Sequence, residues 1–119
     1  MALRRTIDEI ISGHKARNAS LRGVFLEKKV DLKEARRIEF HFWTWSRKDT
    51  SELAESLKSR GFDIMRQQPA GIAGDSERWD LEVAVRQSID VTLRPEFTDE
   101  LARLADSHHG LYDGWGTSI

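Results

Sequence analysis

The chain is expected to fold as one α+β domain, a four-stranded antiparallel sheet with two helices on one face, preceded by an N-terminal helical segment. Three observations lead to this. Two stretches, Arg37 to Trp45 and Trp79 to Ser88, alternate apolar and polar residues with the period of a strand. Helical spacings separate the strand-like stretches, so that from Arg37 onward the order reads β-α-β-β-α-β. At 119 residues, 39% hydrophobic and 33% charged, the chain has the length and balance of one soluble domain with its own core.

The first segment places Leu3, Ile7, Ile10, His14, Arg17, Leu21 and Val24 at alternating spacings of four and three, widened by Ile11 and Phe25. Thr6 followed by Glu9 has the pattern of a capping box at its start. Gly13 and the polar middle of the stripe leave both one helix and two shorter ones open. Residues 1–30 are therefore read as a helical segment ahead of a domain at 31–119, joined by a connector from Val30 to Ala35.

In the first strand Ile38, Phe40 and Phe42 fall on one face, and Glu39, His41, Trp43 and Trp45 on the other. Asp49 with Glu52 marks the start of a helix from about Thr50 to Arg60, with Leu53 and Leu57 inward and Gly61 as its left-handed stop. Phe62 to Gln67 is a short second strand, and Pro69, Gly71 and Gly74 describe a loop. In the third strand Trp79, Leu81, Val83 and Val85 oppose Asp80, Glu82, Ala84 and Arg86, so Trp79 is expected to be buried. A second helix spans about Pro95 to His109, with Phe97, Leu101, Leu104 and Ala105 inward and Thr98 as an alternative cap. Gly110 stops it, and Leu111 onward forms the last strand. The usual packing of this order is the ferredoxin-like arrangement, which leaves the second sheet face open.

Nineteen basic against twenty acidic residues give a net charge of -1, which argues against a chain built around phosphate contacts. The absence of cysteine excludes a disulfide framework, thiolate chemistry and the common structural zinc sites. No apolar run is long enough to span a bilayer. Arg4 and Arg5 are followed by Asp8 and Glu9 where a secretory signal needs an apolar stretch, so a cytoplasmic location is expected.

The C-terminal run Tyr112-Asp113-Gly114-Trp115-Gly116 places glycines inside a strand, which marks a bulge or the close approach of another backbone or ligand. With His41-Phe42-Trp43 in the first strand and Arg60-Gly61-Phe62 between helix and strand, it resembles the RraB family, regulators of ribonuclease E activity. The likeness covers about Val30 to Ile119 and rests mainly on the Tyr-Asp-Gly-Trp-Gly run. It implies a ferredoxin-like domain that binds an RNA-degrading enzyme and inhibits it without catalysis of its own. The regulatory members look strongly acidic, whereas this chain is nearly neutral, which weakens attraction to a basic partner segment.

The residues themselves point to a binding surface. Glu39, His41, Asp80 and Glu82 share the expected open face on neighbouring strands, where a histidine among carboxylates would serve acid-base work, pH sensing or a metal ion. The same set is what any solvated sheet face displays, and no metal or other cofactor is expected. His108-His109 falls at a helix C-terminus, where the dipole accounts for it. No phosphate loop, serine nucleophile motif or dinucleotide fingerprint is present. Trp43, Trp45, Tyr112 and Trp115 are the better candidates, because large aromatics supply most interface energy, with closure of the strand end as the other reading of Trp45; Tyr112 and Trp115 have opposite parity, so without a bulge only one faces outward. The expected function is protein docking on the open face, centred on His41, Trp43 and Trp115 and rimmed by Glu39, Asp80, Glu82 and Arg86, with ribonuclease E as the family's partner. Alternatives from other classes are single-stranded RNA stacked on the face, and a small-ligand or toxin-neutralising binder.

Overall fold

The computed structural model describes residues 5–119; Leu3, which opens the N-terminal stripe, lies outside the described residues. The element order is α1 (Ile7–Glu27), β1 (Ala35–Thr44), α2 (Arg47–Ser59), β2 (Asp63–Pro69), β3 (Trp79–Ser88), α3 (Ile89–Thr92), α4 (Pro95–Ser107) and β4 (Leu111–Gly116). The strands form one antiparallel sheet in the order β2-β3-β1-β4, with β2 and β4 at its edges. No helix among the described residues is long and apolar enough to cross a membrane.

The core forms on the face that alternation assigns to it. Ile38, Phe40, Phe42 and Thr44 are buried on β1, and Leu81 and Val83 on β3. Leu53, Ala54 and Leu57 of α2 and Leu101, Ala102 and Ala105 of α4 join them in one cluster. Phe40 stands edge-on to Phe62 at 5.5 Å between ring centroids and lies 5.6 Å from Phe97. Trp79 is only half-buried at the end of β3, with the Arg47 guanidinium 5.6 Å from its ring centroid.

Several boundaries differ from their expected places, and two helix starts do so because a serine side chain accepts from a free backbone N–H. Helix α2 begins two residues before Asp49, because the Ser46 hydroxyl accepts from the Asp49 backbone N–H at 3.0 Å. Thr50 is then inside the helix, buried, with its hydroxyl donating to the Ser46 carbonyl and bonded to Thr44. The short α3 was not expected; Ser88 caps it by accepting from the Val91 N–H at 3.2 Å. Thr98 is not a cap, since α4 starts at Pro95 and the Thr98 side chain is buried. Strand β1 ends at Thr44, which leaves Trp45 beyond the sheet pairing and 38% exposed.

Helix α1 is one uninterrupted element of 21 residues, and the Thr6–Glu9 capping box is present. Its buried face is rotated by about one residue from the expected stripe. Ile11, Asn18 and Phe25 are buried, whereas Val24 is 42% exposed. The rotation follows from polar partners outweighing apolar spacing. Asn18 donates to the Thr98 hydroxyl at 3.1 Å and accepts from Trp115 Nε1 at 2.9 Å, which makes its burial tolerable. His14 Nε2 lies 2.8 Å from the Tyr112 carbonyl, and Arg17 donates to the Trp115 carbonyl at 3.3 Å. The polar middle of the helix thus binds carbonyls of β4, an edge strand that would otherwise present unpaired groups.

Gly110, between α4 and β4, is required by close approach. A Cβ there would sit 2.9 Å from the Trp43 carbonyl oxygen and 3.3 Å from the Ala105 carbonyl oxygen, both backbone atoms.

Candidate functional site

A bulge in β4 organises the site. His41 pairs with Gly114 but Phe42 pairs with Tyr112, so the register skips Asp113. Gly114 adopts φ +126°, a conformation that residues with a Cβ rarely take. The extra residue cancels the opposite parity of Tyr112 and Trp115 and turns both toward the core, where they are 3% and 7% exposed. Trp115 lies opposite Phe40 and 6.1 Å from Phe25, while Tyr112 packs on Phe42 and His14. Burial accordingly pushes the Tyr112 hydroxyl well above its ordinary pKa. The expectation that Trp115 centres the open face, with Tyr112 as another contact, is therefore corrected: both lie on the opposite face.

The same bulge aims Asp113 at the open face. There His41 stands between two carboxylates, with Nε2 2.7 Å from Asp80 Oδ1 and Nδ1 3.2 Å from Asp113 Oδ2. A doubly protonated ring donates to both; a neutral ring donates to one. Asp80 also accepts from Arg66 Nε at 2.6 Å and Nη2 at 3.4 Å, and Arg66 reaches Glu82 at 3.4 Å. Glu39 accepts from Arg37 at 3.1 Å. A ladder thus crosses all four strands from Arg66 on β2 through Asp80 and His41 to Asp113 on β4. The outer partners Arg66 and Asp113 are exposed, where an ion pair typically adds about 0–1 kcal/mol, whereas His41 and Asp80 at the centre are largely buried; the ladder holds these side chains in fixed positions.

Burial alone would raise the Asp80 carboxyl, but the hydrogen bonds from Arg66 and His41 outweigh it and hold the group below the usual carboxylate value. The Asp80 bond in turn raises Arg66, against the opposing effect of burial. A carboxyl depressed on folding contributes stability above its unfolded value and loses that contribution as pH falls through its folded value. Asp80→Asn should therefore lose more stability relative to the unmodified chain at pH 7 than at pH 3. Urea unfolding of both at the two pH values measures this; an equal gap would remove Asp80 from the acid response.

Trp43 lies on the same face, half-buried, its ring edge-on to His41 with centroids 4.4 Å apart. Arg78 stacks over Trp43 at 5.1 Å and Trp45 at 5.7 Å, and is itself held by Asp75 at 2.7 Å. Asp75 also accepts from Trp45 Nε1 at 3.3 Å. Glu39, His41, Trp43, Asp80, Glu82 and Arg86 are therefore brought onto one face, with Arg86 exposed opposite Arg37. Arg66 and Asp113 complete the ladder without having been expected. Asp113 stood inside the C-terminal signature, whereas Arg66 had only the short alternation of β2 to mark it.

Other candidates are accounted for by packing. His108 lies 3.7 Å from Glu52 and His109 3.4 Å from Asp49, both on α2. Among the described residues no group of three or more histidine and acidic side chains is arranged to hold a metal ion. Beside His41, a hollow of about 260 Å³ is lined by Arg17, Glu39, Asp113 and Gly114.

Residues 23–117, spanning most of the chain and all four strands, match the family described as regulator of ribonuclease activity B, or RraB. The chain belongs to the RraB family. The RraB match begins inside the last turns of α1, takes in every residue of the ladder and ends just past β4. Comparison with curated proteins returns no match.

Proposed function

We propose that this RraB-family chain is a non-catalytic regulator that docks ribonuclease E, or another component of RNA degradation, on its open sheet face. The observation that carries the reading is the pre-ordered ladder: four strands contribute side chains whose positions are set before any partner arrives, with Trp43 beside them as a partly exposed aromatic. Preorganisation reduces the entropy lost on binding, and a half-buried tryptophan ringed by charged groups has the make-up of an interface hot spot. Glu39, His41, Asp80, Glu82 and Arg86 form the rim, while Tyr112 and Trp115 support the face from the core side. The reading includes a cytoplasmic location, a ferredoxin-like domain at 31–119 favoured by the β2-β3-β1-β4 order, and residues 1–30 as an N-terminal helical segment.

Single-stranded RNA is disfavoured as the ligand, because its phosphates would cross Glu39, Asp80, Glu82 and Asp113. A pull-down from native lysate with the unmodified chain and Trp43→Ala, each with and without ribonuclease treatment, separates the two. A protein regulator recovers an RNA-degrading enzyme in both unmodified samples and loses it with Trp43→Ala. Recovery that vanishes on ribonuclease treatment would replace direct docking by RNA bridging.

A further inference from the structure

At the far end of the sheet β4 stops at Gly116 while β1 continues back to Ala35, so that Arg36 and Arg37 extend past the edge strand. A cavity of about 470 Å³ opens there, lined by Arg36, Arg37, Glu39, Gly116, Thr117 and Ser118. Arg37 lies directly across the sheet from Arg86, a like-charge pair of the kind that destabilises a sheet. Arg86 has no carboxylate partner among the described residues. Glu34 and Glu39 are the acidic side chains paired with this cluster, at 3.6 Å from Arg36 and 3.1 Å from Arg37, which leaves three guanidiniums against two carboxylates. The Arg36 guanidinium donates from Nη1 to the Ser118 carbonyl at 3.2 Å, while its Nε is buried and has no hydrogen-bond partner.

We propose that this cavity is a phosphate-binding site, taking a free phosphate dianion or a phosphate monoester. Arg36 and Arg37 both line the cavity and supply charge-assisted donors from opposite faces of β1, Arg37 from the open face and Arg36 from the other side at the end where β4 stops. Donors arriving from several directions suit a tetrahedral oxyanion better than a planar carboxylate. Folding gains nothing from the Arg37–Arg86 juxtaposition, whereas an anion beside Arg37 offsets the repulsion. The site is separate from the aromatic end of the open face, since Arg37 and Trp43 lie six residues, about 20 Å, apart along β1.

Titration of the full chain with inorganic phosphate, methyl phosphate and acetate at matched ionic strength, followed by ¹H–¹⁵N NMR, tests the site. Saturable shifts in the Thr117 and Ser118 amides and in the arginine Nε–H signals are expected with both phosphates and not with acetate. A response to methyl phosphate as strong as that to inorganic phosphate would identify a monoester as sufficient. Arg37→Gln should weaken the response by about tenfold or more, as should Arg36→Lys, which keeps the charge but loses the fork. Trp43→Ala should titrate like the unmodified chain, which separates this site from the docking face. No saturable shift, an equal response to acetate, or full affinity in both arginine variants with their amide spectra otherwise intact would overturn the proposal.

Discussion

Trp115→Ala is expected to lower the stability of this RraB-family domain by about 3–5 kcal/mol, the range for deleting a large buried aromatic. Trp115 is 7% exposed and joins the core between Phe25 of α1 and Phe40 of β1. Removing the indole opens a cavity, and it also withdraws the donor that satisfies the buried Asn18. Trp115→Phe keeps much of the volume and loses that hydrogen bond, so it should cost less, about 1–3 kcal/mol. Urea unfolding of the three proteins measures the series. If Trp115→Ala were as stable as the unmodified chain, Trp115 would be a surface residue, and the account of the bulge would be wrong.

Gly114→Ala is expected to cost about 1–3 kcal/mol, because it forces a residue with a Cβ into φ +126°. The nearest atoms to such a Cβ are Arg17 Nη1 at 3.5 Å and His14 Cε1 at 3.9 Å, so strain and not collision is the cause. Gly116, two residues on, is the control: it has no positive φ, and nothing lies within 4 Å of an added Cβ. Gly116→Ala should leave stability within about 0.5 kcal/mol. Equal losses at the two positions in thermal unfolding would mean that the bulge does not depend on glycine. Because the bulge also turns Asp113 outward, Gly114→Ala should alter the His41 ring signals in NMR while Gly116→Ala leaves them in place.

The strand faces were legible because period two is a local property: Ile38, Phe40 and Phe42 needed no knowledge of the rest of the chain to be placed together. The bulge was legible only as an alternative, since glycines in Tyr112-Asp113-Gly114-Trp115-Gly116 announce irregularity without saying which way the flanking aromatics turn. The buried face of α1 was misplaced by about one residue. The spacing of Leu21 and Val24 competes with that of Ile11 and Phe25, and the choice is made by Asn18, whose partners Thr98 and Trp115 are remote in sequence. The same distance hid Arg66, whose place in the ladder depends on the β2–β3 register and the irregularity between Ile64 and Arg66. Glu39, His41, Asp80 and Glu82 could be brought together from the topology alone, because β1 and β3 are neighbours in the sheet.

The most direct test of docking on the open face is the equilibrium affinity of the unmodified chain and of Trp43→Ala for purified ribonuclease E, with circular dichroism confirming that both are folded. The account predicts measurable binding that Trp43→Ala weakens by about thirtyfold, or about 2 kcal/mol, while the fold persists. Equal affinity of the two proteins would contradict it and remove Trp43 from the interface.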